Sequence, residues 1–459
     1  MSQLYFDRKM SDAEGLMWRL EKDPHLSSTF ANVTVLDRAP DFDRLRRRME
    51  RATVAIPRLR QRVNPAPANL SPPLWVDDPN WDVDYHVRKI ALPKPGTKRQ
   101  LLDIATLIMA DPFDRTRPLW QFVIVEGLRG GKAALIEKLH HTITDGERGV
   151  QLSLEFLDFE RDAPAPPEID PESVERIDTT SATGVDAVRD ALTGSLRLPL
   201  GVIRQVRELL ADPAQLPDAS AAAANTVRGI MSQLSDVDRA RSPLWTERSL
   251  RRRLEVARAP FHETKEAAKR LGGTLNTALI TAAADAASQY HLEMGQPVES
   301  LRASMAVSTR TASSGGNAFS LVRMLVPTGE MPITERFAAI REVIEMAREH
   351  NAAAGLDTLA AVASALPTSV VTRLARQQAQ TVDFATSNVK ASPIPMYVAG
   401  AELLENYPVG PLAGVAFNLT LLSYVGSLDM GLNIDSAAVA DPELLARALG
   451  RSFSALGRV

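Results

Sequence analysis

Ala133-Ala134-Leu135-Ile136-Glu137-Lys138-Leu139-His140-His141-Thr142-Ile143-Thr144-Asp145-Gly146 is the stretch on which the reading of this chain turns. Its first seven residues are mostly apolar and suited to a buried strand, and from Gly146 to Leu157 the positions Val150, Leu152, Leu154 and Leu157 follow helical spacing. Two imidazoles and a carboxylate therefore sit at a strand-to-helix junction, where side chains reach the rim of a sheet and the amides of the following helix can face a ligand. A catalytic imidazole needs one nitrogen free toward substrate and the other held in a fixed tautomer. The same pair also reads as two satisfied structural side chains, and on ligand type alone His140, His141 and Asp145 could hold a metal. Adjacent histidines rarely converge on one ion, and neither an HExxH motif nor a cysteine set accompanies them, so no metal is expected.

Outward from this junction, Ser11 and Glu14 form a capping-box pattern that predicts a first helix, and Asp41 opens a second through Phe42, Leu45 and Met49. The arginines of that second helix, Arg44, Arg46, Arg47, Arg48 and Arg51, read as a solvated face. Ala31, Val33 and Val35 alternate as a half-buried strand would, and Phe122 to Val125 is a further strand. From Asp162 to about Ser242 the sequence turns rich in Pro, Ala, Asp and Ser, a linker with one expected helix around Val202 to Leu210. Beyond it, periodicity predicts a helix over 275–290, strands over 305–307 and 321–326 and a helix over 334–349. Leu421–Val425 and Leu428–Leu432 flank Gly426-Ser427, a turn suited to a type II′ hairpin, and the last helix has Asp441 as cap with Pro442 at its first position.

The chain has 459 residues, 45% of them hydrophobic, enough for two lobes with a large buried core. A net charge of −3 gives no electrostatic case for nucleic-acid binding. With no cysteine, disulfides, a thiolate nucleophile and Cys-type metal sites are excluded. There is no Gly-x-Ser-x-Gly elbow and no glycine-rich nucleotide motif. The N-terminus does not read as a secretory signal, and no run of about 18 apolar residues could span a bilayer.

The chain resembles the bacterial wax ester synthase/acyl-CoA:diacylglycerol acyltransferase family, a branch of the chloramphenicol-acetyltransferase-like and condensation-domain superfamily. His140-His141-Thr142-Ile143-Thr144-Asp145-Gly146 matches the family's HHxxxDG, and Arg117-Pro118-Leu119-Trp120 its upstream PLW element. The resemblance implies a two-lobed α/β fold of mixed sheets flanked by helices, with an active-site tunnel between the lobes. On this pattern residues 1–160 form the N-terminal lobe, 161–245 the linker and 246–459 the C-terminal lobe.

It further implies an O-acyltransferase that moves a long-chain acyl group from acyl-CoA to diacylglycerol or a long-chain alcohol, with acyl-CoA as co-substrate and no cofactor. His141 is the implied general base. Asp145 is implied to be structural, with Arg310 as candidate partner, and Gly146 to leave room for the donor. His140 would orient the loop or contact substrate. Pro118, Leu119 and Trp120 are expected to shape the pocket, and Asn276, Asn317 and Asn388 to hydrogen-bond backbone or substrate. Residence is expected in the cytoplasm, with peripheral contact at the inner membrane face or lipid droplets because both substrates partition into lipid. Oligomeric state is not legible.

Two departures from the family pattern are present. Asn276-Thr277 stands where the family has Asn-Asp, and Ser387-Asn388-Val389-Lys390-Ala391 where it has Ser/Thr-Asn-Val-Pro-Gly. They motivate an alternative reading as a lipid-binding or lipid-droplet-associated protein whose site has drifted. Another alternative keeps the enzyme but gives it a carrier-protein donor or a specialised-metabolite acceptor.

Overall fold

A computed structural model of the chain describes residues 7–65, 72–143, 146–164, 240–308, 319–351 and 368–459. The expected linker helix around Val202 to Leu210 lies outside them. Ser11 caps α1 (Asp12–Leu20) with the full capping box to Glu14. There follow β1 (Thr29–Leu36), α2 (Phe42–Ala55), the ribbon β2 (Gln61–Asn64) and β3 (Leu74–Asp77), the single turn α3 (Val83–His86), β4 (Val87–Ala91) and α4 (Lys98–Ala110). Then come β5 (Trp120–Glu126), β6 (Ala133–His140), α5 (Gly146–Phe156) and β7 (Leu157–Asp158).

Beyond residue 240 the chain continues with β8 (Arg252–Pro260), α6 (Phe261–Arg270), α7 (Leu275–Glu293), β9 (Ser300–Ser308), β10 (Phe319–Pro327) and α8 (Ile333–Asn351). It ends with α9 (Thr368–Ala379), β11 (Phe384–Lys390), β12 (Tyr397–Val398), β13 (Ala401–Val409), β14 (Phe417–Tyr424), β15 (Ser427–Asp435) and α10 (Pro442–Gly457), the last capped by Asp441 with Pro442 at its first position.

Among the described residues the strands other than the β2–β3 ribbon form two mixed sheets. One has the order β4-β5-β6-β1-β13-β12-β7 and the other β10-β9-β11-β14-β15-β8. In the first, β1 pairs antiparallel with β6 and β13, which makes it a central strand. Its alternation matches the expected pattern, yet both faces are covered. Val33 and Val35 meet α4 on one side with Ile136, Val123 and Val125. The opposite face packs Leu135, Leu139, Phe122 and Trp120 against α2 and α5. In the second sheet β11 runs parallel to β9 and β14, and α7, α8 and α10 cover one face. Helix α7 is buried nearly all round, and its small alanines admit the neighbouring helices closely.

Strands β12 and β13 come from the C-terminal half but pair within the first sheet, so the chain crosses between the lobes. The crossing is tight. A Cβ at Gly431 in β15 would lie 2.1 Å from Pro408 O, so only glycine lets β15 pass β13 there. Asn406 N of β13 donates to the buried Asp429 Oδ2 of β15 at 2.7 Å, and Asn433 Nδ2 donates to Gly410 O at 2.9 Å. Ahead of β8, Arg241 N and Ser242 N donate to the buried Asp383 carboxylate, as does Arg302 N of β9, which fastens this segment to the second sheet.

Two local expectations are corrected. The arginines of α2 are not simply a solvated face, because Arg44 and Arg48 turn inward and share the buried Asp158 carboxylate. Arg46 pairs with Asp84 and Glu50, while Arg47 is exposed. The β14–β15 hairpin turns one residue earlier than expected. Tyr424 pairs with Ser427, and the central residues Val425 and Gly426 have φ of 41° and 76°, the two positive values of a type I′ turn and not the type II′ turn expected.

Candidate active site

The histidine pair stands where expected, at the end of β6 and before α5, but its two members face opposite sides of the sheet. Successive strand residues alternate faces, and His140 and His141 continue that alternation. His141 N donates to Ser28 O at 3.2 Å, extending the β1–β6 ladder by one position. Its ring lies 4.6 Å from the Phe30 ring, on the face that carries Leu139 and Trp120. Two side chains that diverge in this way do not converge on one ion.

His140 is buried and held on both nitrogens. Thr142 N donates to Nδ1 at 3.2 Å, with the Thr142 hydroxyl 2.8 Å from the same nitrogen. Nδ1 is thereby the acceptor, and the proton on Nε2 donates to Glu21 Oε2 at 3.1 Å. Both ring nitrogens of His140 are thus engaged within the protein. Its backbone N donates to Leu119 O at 3.0 Å, so the Pro118-Leu119-Trp120 element grips the histidine motif directly.

Trp120 is fully buried, with Nε1 donating to Leu59 O at 2.7 Å. His86 stacks on its ring at 4.5 Å and donates from Nδ1 to Trp120 O at 2.8 Å. Burial pushes the His86 imidazole down to about 4. Pro118, Leu119 and Trp120 act here as packing and backbone support.

Glu21 is the residue that sequence reasoning missed. At the C-terminal end of α1, its carboxylate accepts from the Ser27 hydroxyl at 2.6 Å and from Ser28 N at 2.7 Å, besides His140. Burial raises its pKa, but hydrogen bonding and charge from His140 with the Ser27 and Ser28 bonds outweigh that and leave it lowered. Because Ser28 O accepts the His141 amide, one carboxylate holds the side chain of His140 and the strand edge that carries His141. No local pattern marks Glu21, since its key partner lies 119 positions away.

His141 lies deep within the protein yet keeps some accessible surface. Burial is the main cause of a pKa lowered to about 4, with the neighbouring His140 adding to it and Glu21 opposing it. The imidazole is therefore neutral at physiological pH and able to accept a proton.

Thr144 and Asp145 lie outside the described residues, as do Arg310 and Asn317, so the Asp145–Arg310 pairing falls beyond them. Gly146 begins α5. Asn276 and Asn388 are brought together, with Asn388 Nδ2 donating to Asn276 Oδ1 at 2.7 Å, which ties the first turn of α7 to β11. Thr277 completes a capping box with Thr274, its hydroxyl accepting from Thr274 N at 3.2 Å. The hydroxyl thus supplies a helix-capping acceptor at the position where the family pattern has a carboxylate.

Residues 10–279 match the wax ester synthase/diacylglycerol acyltransferase catalytic domain, and residues 315–457 match the C-terminal domain of the same proteins. The chain belongs to the wax ester synthase/diacylglycerol acyltransferase family. It is 33% identical to a putative diacylglycerol O-acyltransferase of Mycobacterium tuberculosis strain H37Rv, over 97% of this chain and 91% of the relative. A probable diacylglycerol O-acyltransferase of the same strain is 28% identical over 95% of this chain and 92% of its own length.

Among solved structures, the wax ester synthase/diacylglycerol acyltransferase of Marinobacter aquaeolei VT8 superposes with a TM-score of 0.67 at 20% identity, covering 98% of each chain. The first condensation domain of the calcium-dependent antibiotic synthetase gives 0.56 at 13% identity, covering 98% of this chain and 95% of that domain. Both establish the two-lobed condensation-type fold. As a member of this family, the protein is an acyltransferase.

Proposed function

We propose that this acyltransferase transfers a long-chain acyl group from a CoA thioester to the hydroxyl of diacylglycerol or of a long-chain alcohol, with His141 as general base. The observation that carries this reading is the placement of a neutral, deeply set imidazole on accessible surface at the strand end, with its backbone anchored to Ser28. The names of the relatives support the acyl acceptor.

In the reaction, a nitrogen of His141 takes the acceptor's hydroxyl proton as the oxygen attacks the thioester carbonyl. The tetrahedral adduct then collapses by breaking the C–S bond, and the imidazolium returns its proton to the departing CoA thiolate. Oxidation states do not change, so the step needs acyl-CoA as co-substrate and no electron carrier. A base so placed contributes about 10²–10⁴-fold in rate. The acyl chain and the acceptor both partition into lipid, which supports peripheral contact with a membrane or droplet surface. No helix among the described residues is long and apolar enough to cross a membrane.

The test is CoA release from palmitoyl-CoA with diacylglycerol and hexadecanol as separate acceptors, with the lipid products followed for the wild type and His141→Ala. Product that depends on His141 supports the reading and ranks the acceptors. Equal product from both proteins would remove His141 from the chemistry.

A further inference from the structure

The turn between α1 and β1 that Glu21 organises has an inner and an outer face. On the inner face the Glu21 carboxylate gathers Ser27, Ser28 and His140, and the Thr29 hydroxyl donates to its Oε1 at 3.4 Å. On the outer face Asp23 caps the single 3₁₀ turn Pro24–Leu26, its Oδ1 accepting from His25 N at 3.0 Å. His25 Nδ1 donates to the same oxygen at 3.2 Å, which leaves Nε2 as an acceptor. Arg376 of α9 meets both outer residues. Its Nη2 donates to His25 Nε2 at 3.4 Å, and its Nη1 lies 3.6 Å from Asp23 Oδ2.

The other end of α9 takes hold of α1, where Arg19 Nε donates to Thr368 Oγ1 at 3.4 Å. Thr368 and Arg376 are eight helical positions apart, about 12 Å along the axis. Helix α9 is itself rooted in the second sheet. Gln378 accepts from Arg323 of β10, and a Cβ at Gly414 would lie 2.7 Å from the Ala379 methyl, so the helix end packs closely on the loop before β14. A helix of the second lobe thus clasps, at two points, the part of the first lobe that carries Glu21. Glu21 lies two residues before Asp23, and Ser28 three residues after His25. A guanidinium fixed on Asp23 and His25 therefore limits how far this turn can move from β6. With the turn move the carboxylate that holds His140 and the Ser28 carbonyl that accepts the His141 amide.

We propose that Arg376 is a positioning residue for acyl transfer, holding the Glu21 turn, and through it the histidine pair, in register while the second lobe is seated on the first. The inference rests on the proposed role of His141. Displacing a base by about 1 Å can cost on the order of 10²-fold in rate. The Arg376 side chain is 42% exposed, so solvent screens its pairing and the expected effect is smaller.

The test pairs steady-state CoA release with amide hydrogen exchange on the full chain. Arg376→Ala is expected to lower kcat about three- to tenfold, with KM changed less than about twofold and the urea midpoint nearly unchanged. Exchange at the Ser28 and His141 amides should quicken severalfold. Arg376→Lys, which keeps the positive charge, should recover part of both effects. Asp23→Asn keeps the cap acceptor and removes the charge facing Arg376. Combined with Arg376→Ala it should cost no more than the larger single effect, because both act through one contact.

An unchanged kcat in Arg376→Ala would overturn the proposal, as would unchanged exchange at Ser28 and His141, or losses that multiply in the double variant. Quickened exchange together with CoA release that does not depend on His141 would instead overturn the proposed reaction and leave the clasp standing.

Discussion

Glu21 Oε2 lies 3.1 Å from His140 Nε2 and 2.7 Å from Ser28 N, so a single carboxylate oxygen joins the first helix, the start of the central strand and the histidine motif. Removing it frees His140 to rotate and loosens the Ser28 carbonyl that holds the His141 amide. Misplacement of a base by about 1 Å can cost on the order of 10²-fold in rate. Glu21→Ala is therefore expected to lower kcat by about 10- to 100-fold with a much smaller change in KM, and Glu21→Gln, which can still accept, to recover part of the loss. Steady-state CoA release measures both constants. An unchanged kcat for Glu21→Ala would show that the contact does not position the base.

The pH dependence of stability has two opposing parts. His86 and His141 are both held near 4, well below the free value, so below about 6.5 the unfolded chain takes up protons that the folded state refuses. Stability is then lost progressively as pH falls from about 6.5 to 4, by roughly 3 kcal/mol per histidine at the limit. Glu137 acts in the other direction. Its folded value is about 8, so its contribution is complete below the unfolded pKa and is lost as pH rises through 8. Urea unfolding of Glu137→Gln against wild type at pH 5 and pH 8 should show the variant gaining relative stability at the higher pH, and a pH-independent difference would contradict the assignment. Activity limited by His141 protonation should persist to about pH 5.

The helix starts at Ser11 and Asp441 and the strand carrying the histidines were legible because their signals are local: a cap, a first-turn proline, an apolar run that stops at a polar junction. The contacts that orient the site were not. Glu21 reaches His140 across 119 positions, and Asp158 reaches Arg48 across 110, so neither leaves a pattern in any short window. The turn at Val425-Gly426 was misplaced by one residue because strand register fixed it, overriding the preference of a β-branched side chain for negative φ. His140 and His141 could be found as a pair from sequence. That they face opposite sides of the sheet follows from the period-two alternation of β6.

Asp158 carries a stability prediction of its own. It is buried between Arg44 and Arg48 of α2, at the sheet edge that follows α5. Taking away the carboxylate while leaving both guanidinium groups uncompensated costs about 3–5 kcal/mol. Asp158→Ala is expected to lower the urea midpoint accordingly, whereas Arg46→Ala, which breaks only the surface ion pairs to Asp84 and Glu50, should leave it nearly unchanged. Equal midpoints for the two variants would mean that the clamp does not hold α2 to the edge.

Thr274 and Thr277 close the capping box of α7, and the neighbouring Asn276 ties that end of the helix to Asn388 in β11. Replacing the cap in Thr274→Ala should cost about 1 kcal/mol, the usual effect of losing such a residue. Thr277→Asp restores the carboxylate of the family pattern and keeps an acceptor facing the Thr274 amide. A negative charge in the first turn also interacts favourably with the helix dipole, by about 0.3–1 kcal/mol. The expected outcome is an unfolding midpoint equal to or above wild type, with CoA release changed by no more than a few fold, because the hydroxyl already performs the capping role. A large gain in kcat would show instead that the missing carboxylate had been limiting the reaction, which would move Thr277 from the helix cap into the chemistry.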